Sequence, residues 1–233
     1  MYKYLIFDAD HTLVDFNADE KAAFERTFAR FGASYTAEDI HRAWVLSYTV
    51  WAEEGLNDIH LDKIQRSFHQ KYVAHLPLLF NRIKEGFFIN ATAEELADYF
   101  LKELNAQSFA LGNALEVFQR LSKRYKTCIA TNGLAVMQNA RLKEFLPYAH
   151  AVFISEDLGI IKPNKAFFLG MLARLGAKAE ECLFIGDSLA SDVAGCQTVG
   201  MPCVWLNTEG RELHENYHPI GQITRIEEIE KFL

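Results

Sequence analysis

The chain has 233 residues, half of them hydrophobic, and a net charge of −7. That composition supplies the core of one or two globular domains and excludes a disordered or fibrous chain. No basic stripe is present and no apolar run is long enough to span a bilayer, so neither a nucleic-acid polymer nor a membrane is an expected partner.

The four cysteines, Cys128, Cys182, Cys196 and Cys203, form no Cys-x-x-Cys pair and read as reduced core thiols. The eight histidines show no zinc spacing. The first acid, Asp8, arrives too early for a signal peptide, so a cytoplasmic location is expected.

In chain order, residues 3–8 read as a buried strand, Tyr4-Leu5-Ile6-Phe7, ending on Asp8-Ala9-Asp10-His11-Thr12. Side chains at i and i+2 of an extended segment point the same way, so Asp8 and Asp10 can reach one reacting centre. Two crowded carboxylates repel unless a cation or a proton intervenes, which suits a metal-assisted nucleophile beside a general acid/base. Asp-x-Asp also opens calcium loops, but those need Gly at the sixth position and Glu at the twelfth, where this chain has Leu13 and Asp19. Two solvated acids at a strand end are the plainer alternative.

Helical periodicity dominates 17–106, with helices predicted over 18–31, 37–51, 61–76 and 92–104. Thr92 and Glu95 have capping-box spacing. Trp44, Tyr48 and Trp51 share one helical face. With Phe68, Phe80, Phe87 and Phe88 they offer rings that either stack on a base or pack the segment's own core.

Beyond 107 helices and strands alternate. Helices are predicted over 114–122, 134–146, 165–175, 189–199 and 226–232; strands over 126–130, 150–154, 182–185 and 202–206. Alternation of this kind argues a parallel sheet with helices on both faces, and ligands at the carboxyl ends of its strands. The expected organisation is an α/β core built from 1–16 and 107–233 and split by an all-helical insert at 17–106.

Three further strand ends carry chemistry. The first is Thr131-Asn132-Gly133, a hydroxyl, an amide and a flexible backbone able to hold an anion, or else a plain turn. The second is Lys162, ahead of Pro163 and a helix start, a phosphate ligand or else a solvated lysine. The third is Gly186-Asp187-Ser188 with Asp192 one helical turn on, a metal site or else a helix cap. Gly186-Asp187-Ser188-Leu189-Ala190 also lies one residue away from a serine-esterase elbow, with His214 and His218 downstream, but an esterase leaves Asp8, Asp10 and Lys162 unexplained. In a parallel sheet these tips converge on one crevice.

As a set and in this order, these motifs resemble those of the haloacid dehalogenase-like hydrolase superfamily over essentially the whole chain. The resemblance implies a Rossmann-like, doubly wound core, and residues 17–106 look like its C1-type helical cap. Such a cap is expected to choose the substrate by closing over the site. The runs Thr131-Asn132-Gly133-Leu134, Ser155-Glu156-Asp157-Leu158-Gly159 through Lys162-Pro163-Asn164-Lys165, and Trp205-Leu206-Asn207 are similar to a subgroup of pyrimidine 5′-nucleotidases. His11 departs from the pattern, since many members carry Gly there.

What the resemblance implies is a Mg²⁺-dependent phosphomonoester hydrolase. Asp8 would be the nucleophile that forms an aspartyl-phosphate, and Asp10 the general acid/base. Mg²⁺ would be held by Asp8, the carbonyl of Asp10 and Asp187, with Asp192 acting behind them. Thr131, Lys162 and the Asn132-Gly133 turn would hold the phosphoryl group, with His11 near the leaving group. An acid at position 10 separates this chain from the dehalogenases and the phosphonate-cleaving members. A sugar-phosphate phosphatase and a phosphomutase share all the core motifs, and a non-catalytic binding protein would be expected to lack one. The expected partner is a small phosphorylated metabolite, the expected state a monomer or weak homodimer.

Overall fold

The computed structural model describes residues 1–87 and 89–233. In chain order the elements are β1 (Tyr4–Phe7), α1 (Phe16–Arg30), α2 (Ala37–Glu53), α3 (Asp62–Gly86), α4 (Ala93–Ala106), α5 (Ala114–Ser122), β2 (Lys126–Thr131), α6 (Ala135–Arg141), β3 (Ala151–Ile154), α7 (Ser155–Leu158), α8 (Lys165–Leu175), β4 (Cys182–Gly186), α9 (Ala194–Gln197), β5 (Cys203–Leu206) and β6 (Gly221–Ile223). They fall into two compact units: Met1–Asp15 with Ala110–Leu233, and Phe16–Phe109.

In the first unit every residue of β1 is buried. Leu5 and Phe7 face one way, with Ile129, Leu183, Ile185 and Val204, and pack on Val117, Phe118 and Leu121 of α5. Tyr4 and Ile6 face the other way, with Cys128, Ala130, Phe184 and Trp205, and pack on Phe167, Phe168 and Met171 of α8. A strand apolar on both faces needs a layer on each side, and this is what makes the sheet central. All six strands are parallel, in the order β3-β2-β1-β4-β5-β6. The winding reverses beside β1, and the crevice at the carboxyl ends there is where such sheets bind ligands. The fold is therefore the doubly wound α/β core with an all-helical insert.

In the helical unit α1 buries Ala23, Phe24, Thr27 and Phe28. The Phe24 ring lies 4.6 Å from Phe100 and 6.0 Å from Phe80. Buried Asp19 accepts hydrogen bonds from Phe109 N (2.7 Å) and Ser108 Oγ (2.8 Å), tying the start of the unit to its end. Most of the aromatics of the helical unit pack its own interior. Phe68 and Phe80 are buried, Trp51 meets Phe68, Tyr72 and His75 edge-on, and Phe87 lies against Phe28. Trp44 packs on Tyr48, an exposed ring whose hydroxyl donates to Asn17 Oδ1. Phe88 lies outside the described residues.

Several elements differ from the sequence expectations. Helix α3 runs through Pro77 to Gly86, because Leu79, Phe80 and Ile83 beyond the proline are all buried and their packing offsets the lost backbone bond. Helix α6 stops at Arg141, and the chain reaches β3 through turns and a 3₁₀ segment that contains Pro147. Residues 189–199 divide into a π-helical turn, Leu189–Val193, and α9. The 226–232 segment is 3₁₀ rather than α. Strand β6 carries no apolar run and lies where the sequence shows no strand pattern. The Thr92–Glu95 capping box is present as expected. All four cysteines are unpaired and buried, and burial pushes the thiols of Cys128 and Cys182 up to about 12, so they stay protonated. No helix among the described residues is long and apolar enough to cross a membrane.

Candidate active site at the carboxyl edge of the sheet

Asp8 leaves β1 still on the ladder, its N–H donating to Ile185 O at 2.8 Å. The chain then folds tightly. The N–H groups of Thr12, Leu13 and Val14 all converge on Ala9 O, and His11 N donates to Val14 O. This loop puts His11 at φ +59°, a left-handed conformation costing roughly 1–2 kcal/mol for a side-chain-bearing residue. Histidine is among the residues that adopt it more often, so it is tolerated at this position.

Lys162, read from the sequence as a phosphate ligand or else a solvated lysine, is 1% exposed. Its Nζ donates to Asp8 Oδ1 (2.7 Å), Asp192 Oδ1 (2.7 Å) and Ala130 O (2.9 Å), using all three ammonium protons. The Phe184 ring lies 5.3 Å below it. Burial disfavours the charged ammonium, but the charges of Asp192 and Asp8 outweigh it and hold Lys162 protonated, above its ordinary range. Asn132 fixes this lysine from behind. Its Nδ2 donates to Lys162 O (3.0 Å) and its Oδ1 accepts from Lys162 N (2.8 Å), so its side chain is committed to the lysine loop.

The ligand oxygens of Asp8, Asp187 and Asp192 lie within 4.8 Å of one another. Burial, with the charge of Asp192, pushes Asp8 up to about 7 against the pull of Lys162. Burial and the charges of Asp8 and Asp192 push Asp187 well above the ordinary carboxylate range. Three carboxylates against one buried ammonium, with the half-exposed Arg211 3.7 Å from Asp187 Oδ2, leave an excess of negative charge that a divalent cation would cancel. An all-oxygen set of hard donors suits Mg²⁺. Asp192 is completely buried, with Oδ1 accepting from Lys162 and Ser191 Oγ and Oδ2 from Ser188 N, so it fits the supporting position. Asp187 and the second oxygen of Asp8 accept no hydrogen bond among the described residues and fit the direct ligands. Asp187 is anchored through its carbonyl, which accepts from Trp205 Nε1 and Arg211 Nη2, both at 2.8 Å. Gly186 is required for this packing, because a Cβ there would lie 2.2 Å from Asp192 Oδ2. Ser188 Oγ accepts from Ser191 N at 3.1 Å, a capping role.

Thr131 ends β2 beside β1, and Gly133 follows at φ +149°. Gly133 N donates to Ser155 Oγ (3.0 Å), and a Cβ at 133 would crowd the Gln138 side chain at 3.2 Å. Gln138 and Arg141 of α6 were missed in the sequence. Gln138 Nε2 lies 2.6 Å from Thr131 Oγ1 and 3.1 Å from Asp10 Oδ2. The Arg141 guanidinium, almost fully buried, donates to Gln138 Oε1 (3.0 Å) and lies 2.6 Å from Asp10 Oδ1. The latter contact is a close ion pair. Burial raises the Asp10 carboxyl, but its side chain keeps 28% exposure, and the charge of Arg141 brings it below the ordinary range, with His11 and Gln138 adding to the effect. The available signal was spacing, since 138 and 141 share a helical face starting just after the Thr131 turn.

The carboxyl edge thus gathers Asp8, Asp10, Thr131, Lys162, Asp187 and Asp192 in one place. With that geometry in view, the likeness to known proteins is informative. A family model described as haloacid dehalogenase-like hydrolase matches residues 2–200. The chain is 29% identical over 226 residues to the pyrimidine 5′-nucleotidase PynA of Streptococcus pneumoniae, covering 95% of this chain and 91% of that one. It is 39% identical over 215 residues to a glyceraldehyde 3-phosphate phosphatase of Methanopyrus kandleri, covering 88% and 83%. The crystal structure of the HAD-hydrolase YfnB of Bacillus subtilis, bound to magnesium, superposes with a TM-score of 0.81 at 26% identity over 100% of this chain and 98% of that one.

Proposed function

The chain belongs to the haloacid dehalogenase-like hydrolase family, and from that premise we propose that it is a Mg²⁺-dependent phosphatase of nucleoside 5′-monophosphates, pyrimidine nucleotides foremost. The observation that carries the chemistry is the cluster of Asp8, Asp187 and Asp192 around the buried ammonium of Lys162. Asp8 and Asp187, with the carbonyl of Asp10, would hold the ion, and Asp192 would brace the site through Lys162. The ion supplies charge neutralisation and a Lewis acid for the phosphoryl oxygens.

The Asp8 carboxylate attacks phosphorus in line, and the bond to the leaving oxygen breaks with its electron pair on that oxygen. Asp10, in its protonated form, gives a proton to that oxygen, releasing the alcohol. Water then attacks phosphorus in the aspartyl-phosphate, Asp10 takes a proton from it, and the Asp8 carboxylate leaves, freeing phosphate. Thr131 would meet the charge that spreads over the phosphoryl oxygens by hydrogen bond, and Lys162, whose three protons are held by Asp8, Asp192 and Ala130 O, by its positive charge alone. Lys162 also fixes the rotamer of Asp8.

The preference for nucleotides rests on likeness to PynA along nearly the whole chain. A triose- or sugar-phosphate substrate is the second reading, favoured by the higher identity to the glyceraldehyde 3-phosphate phosphatase. The test is phosphate release from a panel of nucleoside monophosphates, triose and sugar phosphates and p-nitrophenyl phosphate, with Mg²⁺ and then with EDTA. Magnesium-dependent turnover concentrated on pyrimidine nucleotides supports the first reading. Turnover of triose phosphate alone replaces it with the second, and turnover unaffected by EDTA refutes both.

A further inference from the structure

We propose that Arg141 and Gln138 are positioning residues that aim the Asp10 carboxyl at the leaving-group oxygen, Gln138 also holding Thr131 Oγ1 in place beside it. The inference rests on the reading of Asp10 as the general acid.

A buried guanidinium is costly and is retained only where its donors are used. Arg141 spends one donor on Gln138 Oε1, which decides the orientation of that amide, since oxygen toward arginine leaves Nε2 toward the site. The same nitrogen then serves Thr131 Oγ1 and Asp10 Oδ2, with Asn132 O a third acceptor at 3.2 Å. Arg141 meets the other oxygen of Asp10 directly, at 2.6 Å. The carboxyl is therefore gripped at both oxygens by two residues of a single helix turn, and its plane is set. Thr131 Oγ1 accepts from Gln138 and donates only a long hydrogen bond, 3.4 Å, to Asn132 O, so its proton can turn to a phosphoryl oxygen at little cost. Gly133 supports the arrangement, because any Cβ there would press on Gln138.

Neither residue touches the phosphoryl group in this account, so the test must separate aim from simple stability. Protonation of the leaving oxygen matters for an alkyl phosphate, whose alkoxide leaves poorly, and little for p-nitrophenyl phosphate, whose phenolate leaves unaided. The parameter is kcat/KM, which reports transfer to Asp8 and not the later hydrolysis. Arg141→Met and the near-isosteric Gln138→Leu are compared with Asp10→Asn on the best alkyl phosphate and on p-nitrophenyl phosphate. Gln138→Leu serves as the second variant should Arg141→Met fail to fold. The expected result is a fall of about 100-fold on the alkyl ester and under about tenfold on the aryl ester for the Arg141 or Gln138 variant, in the pattern of Asp10→Asn. Equal losses on both esters, or no loss, in the Arg141 and Gln138 variants while Asp10→Asn remains selective would overturn the positioning role alone. Absence of selectivity in Asp10→Asn itself would overturn the acid reading and the positioning role with it.

Discussion

Replacing Lys162 by Met leaves the volume of the site filled and removes its only buried ammonium. In the metal-free protein Asp8 and Asp192 then lose their cation, Asp187 keeps only the half-exposed Arg211 at 3.7 Å, and Ala130 O loses a donor. Removing one partner of a buried, hydrogen-bonded ion pair costs about 3–5 kcal/mol. Against a typical domain stability of about 5–15 kcal/mol that is a large share. It corresponds to a fall of about 1–2 M in the urea midpoint. The assay is urea unfolding in EDTA, followed by Trp205, which lies buried in the α/β unit, in a Trp44→Phe, Trp51→Phe background that silences the helical unit. The loss should depend on pH. Burial and neighbouring charge already raise Asp8 to about 7, and without Lys162 the folded carboxyls bind protons more tightly still. The folded state then holds more protons than the unfolded state across the acid-to-neutral range, so stability falls as pH rises, and the variant should lose more at about pH 8 than at about pH 5.5. A loss below about 1 kcal/mol, the worth of an exposed pair, with no pH dependence, would refute the electrostatic account of this cluster.

Three further outcomes follow from the same geometry. Because metal binding must displace protons from Asp8 and Asp187, the Mg²⁺ concentration for half-maximal activity should climb as pH falls below about 7, by about tenfold per unit for one proton released; a flat profile contradicts the ligand assignment. Gly186→Ala places a methyl group against a carboxylate pinned by Lys162 and Ser188, and should cost about 1–3 kcal/mol in unfolding experiments and weaken Mg²⁺ binding measured by calorimetry. In the helical unit His75 is buried beside Glu54 (2.6 Å), and burial lowers its pKa despite the pull of that carboxylate. The unfolded histidine therefore takes up a proton first, so stability should drop as pH falls below about 6.5, and His75→Phe should flatten that dependence in thermal melts.

The sheet was legible because its strands are apolar on both faces, as Tyr4 to Phe7 and Cys182 to Ile185 show, and such runs have few other readings. The strand tips were legible as a set, since acids, a hydroxyl and a lysine recur wherever a buried strand stops. What the sequence concealed was burial of charge. Taken singly, Lys162 reads as a solvated lysine, and Arg141 reads as the polar face of a helix; only the fold reveals three acceptors for one and the Asp10 carboxylate for the other. Pro77 misled because local propensity marks a helix end there, while tertiary burial of Leu79, Phe80 and Ile83 decides otherwise. Strand β6 was invisible because a three-residue edge strand needs no apolar pattern. The aromatics of 17–106 were ambiguous by spacing, and the packing of Trp51, Phe68 and Phe80 accounts for most of them.

The claim on which the proposed mechanism turns is that phosphorus becomes covalently bound to Asp8. Rapid acid quench of the enzyme during turnover of its best phosphate ester with Mg²⁺, followed by peptide mass spectrometry, reads this directly. The account predicts a phosphoryl adduct on Asp8 that forms within one turnover, disappears as substrate is exhausted, and is absent with EDTA and in Asp8→Asn. An adduct on another residue, or full turnover with no adduct at any quench time, would contradict it.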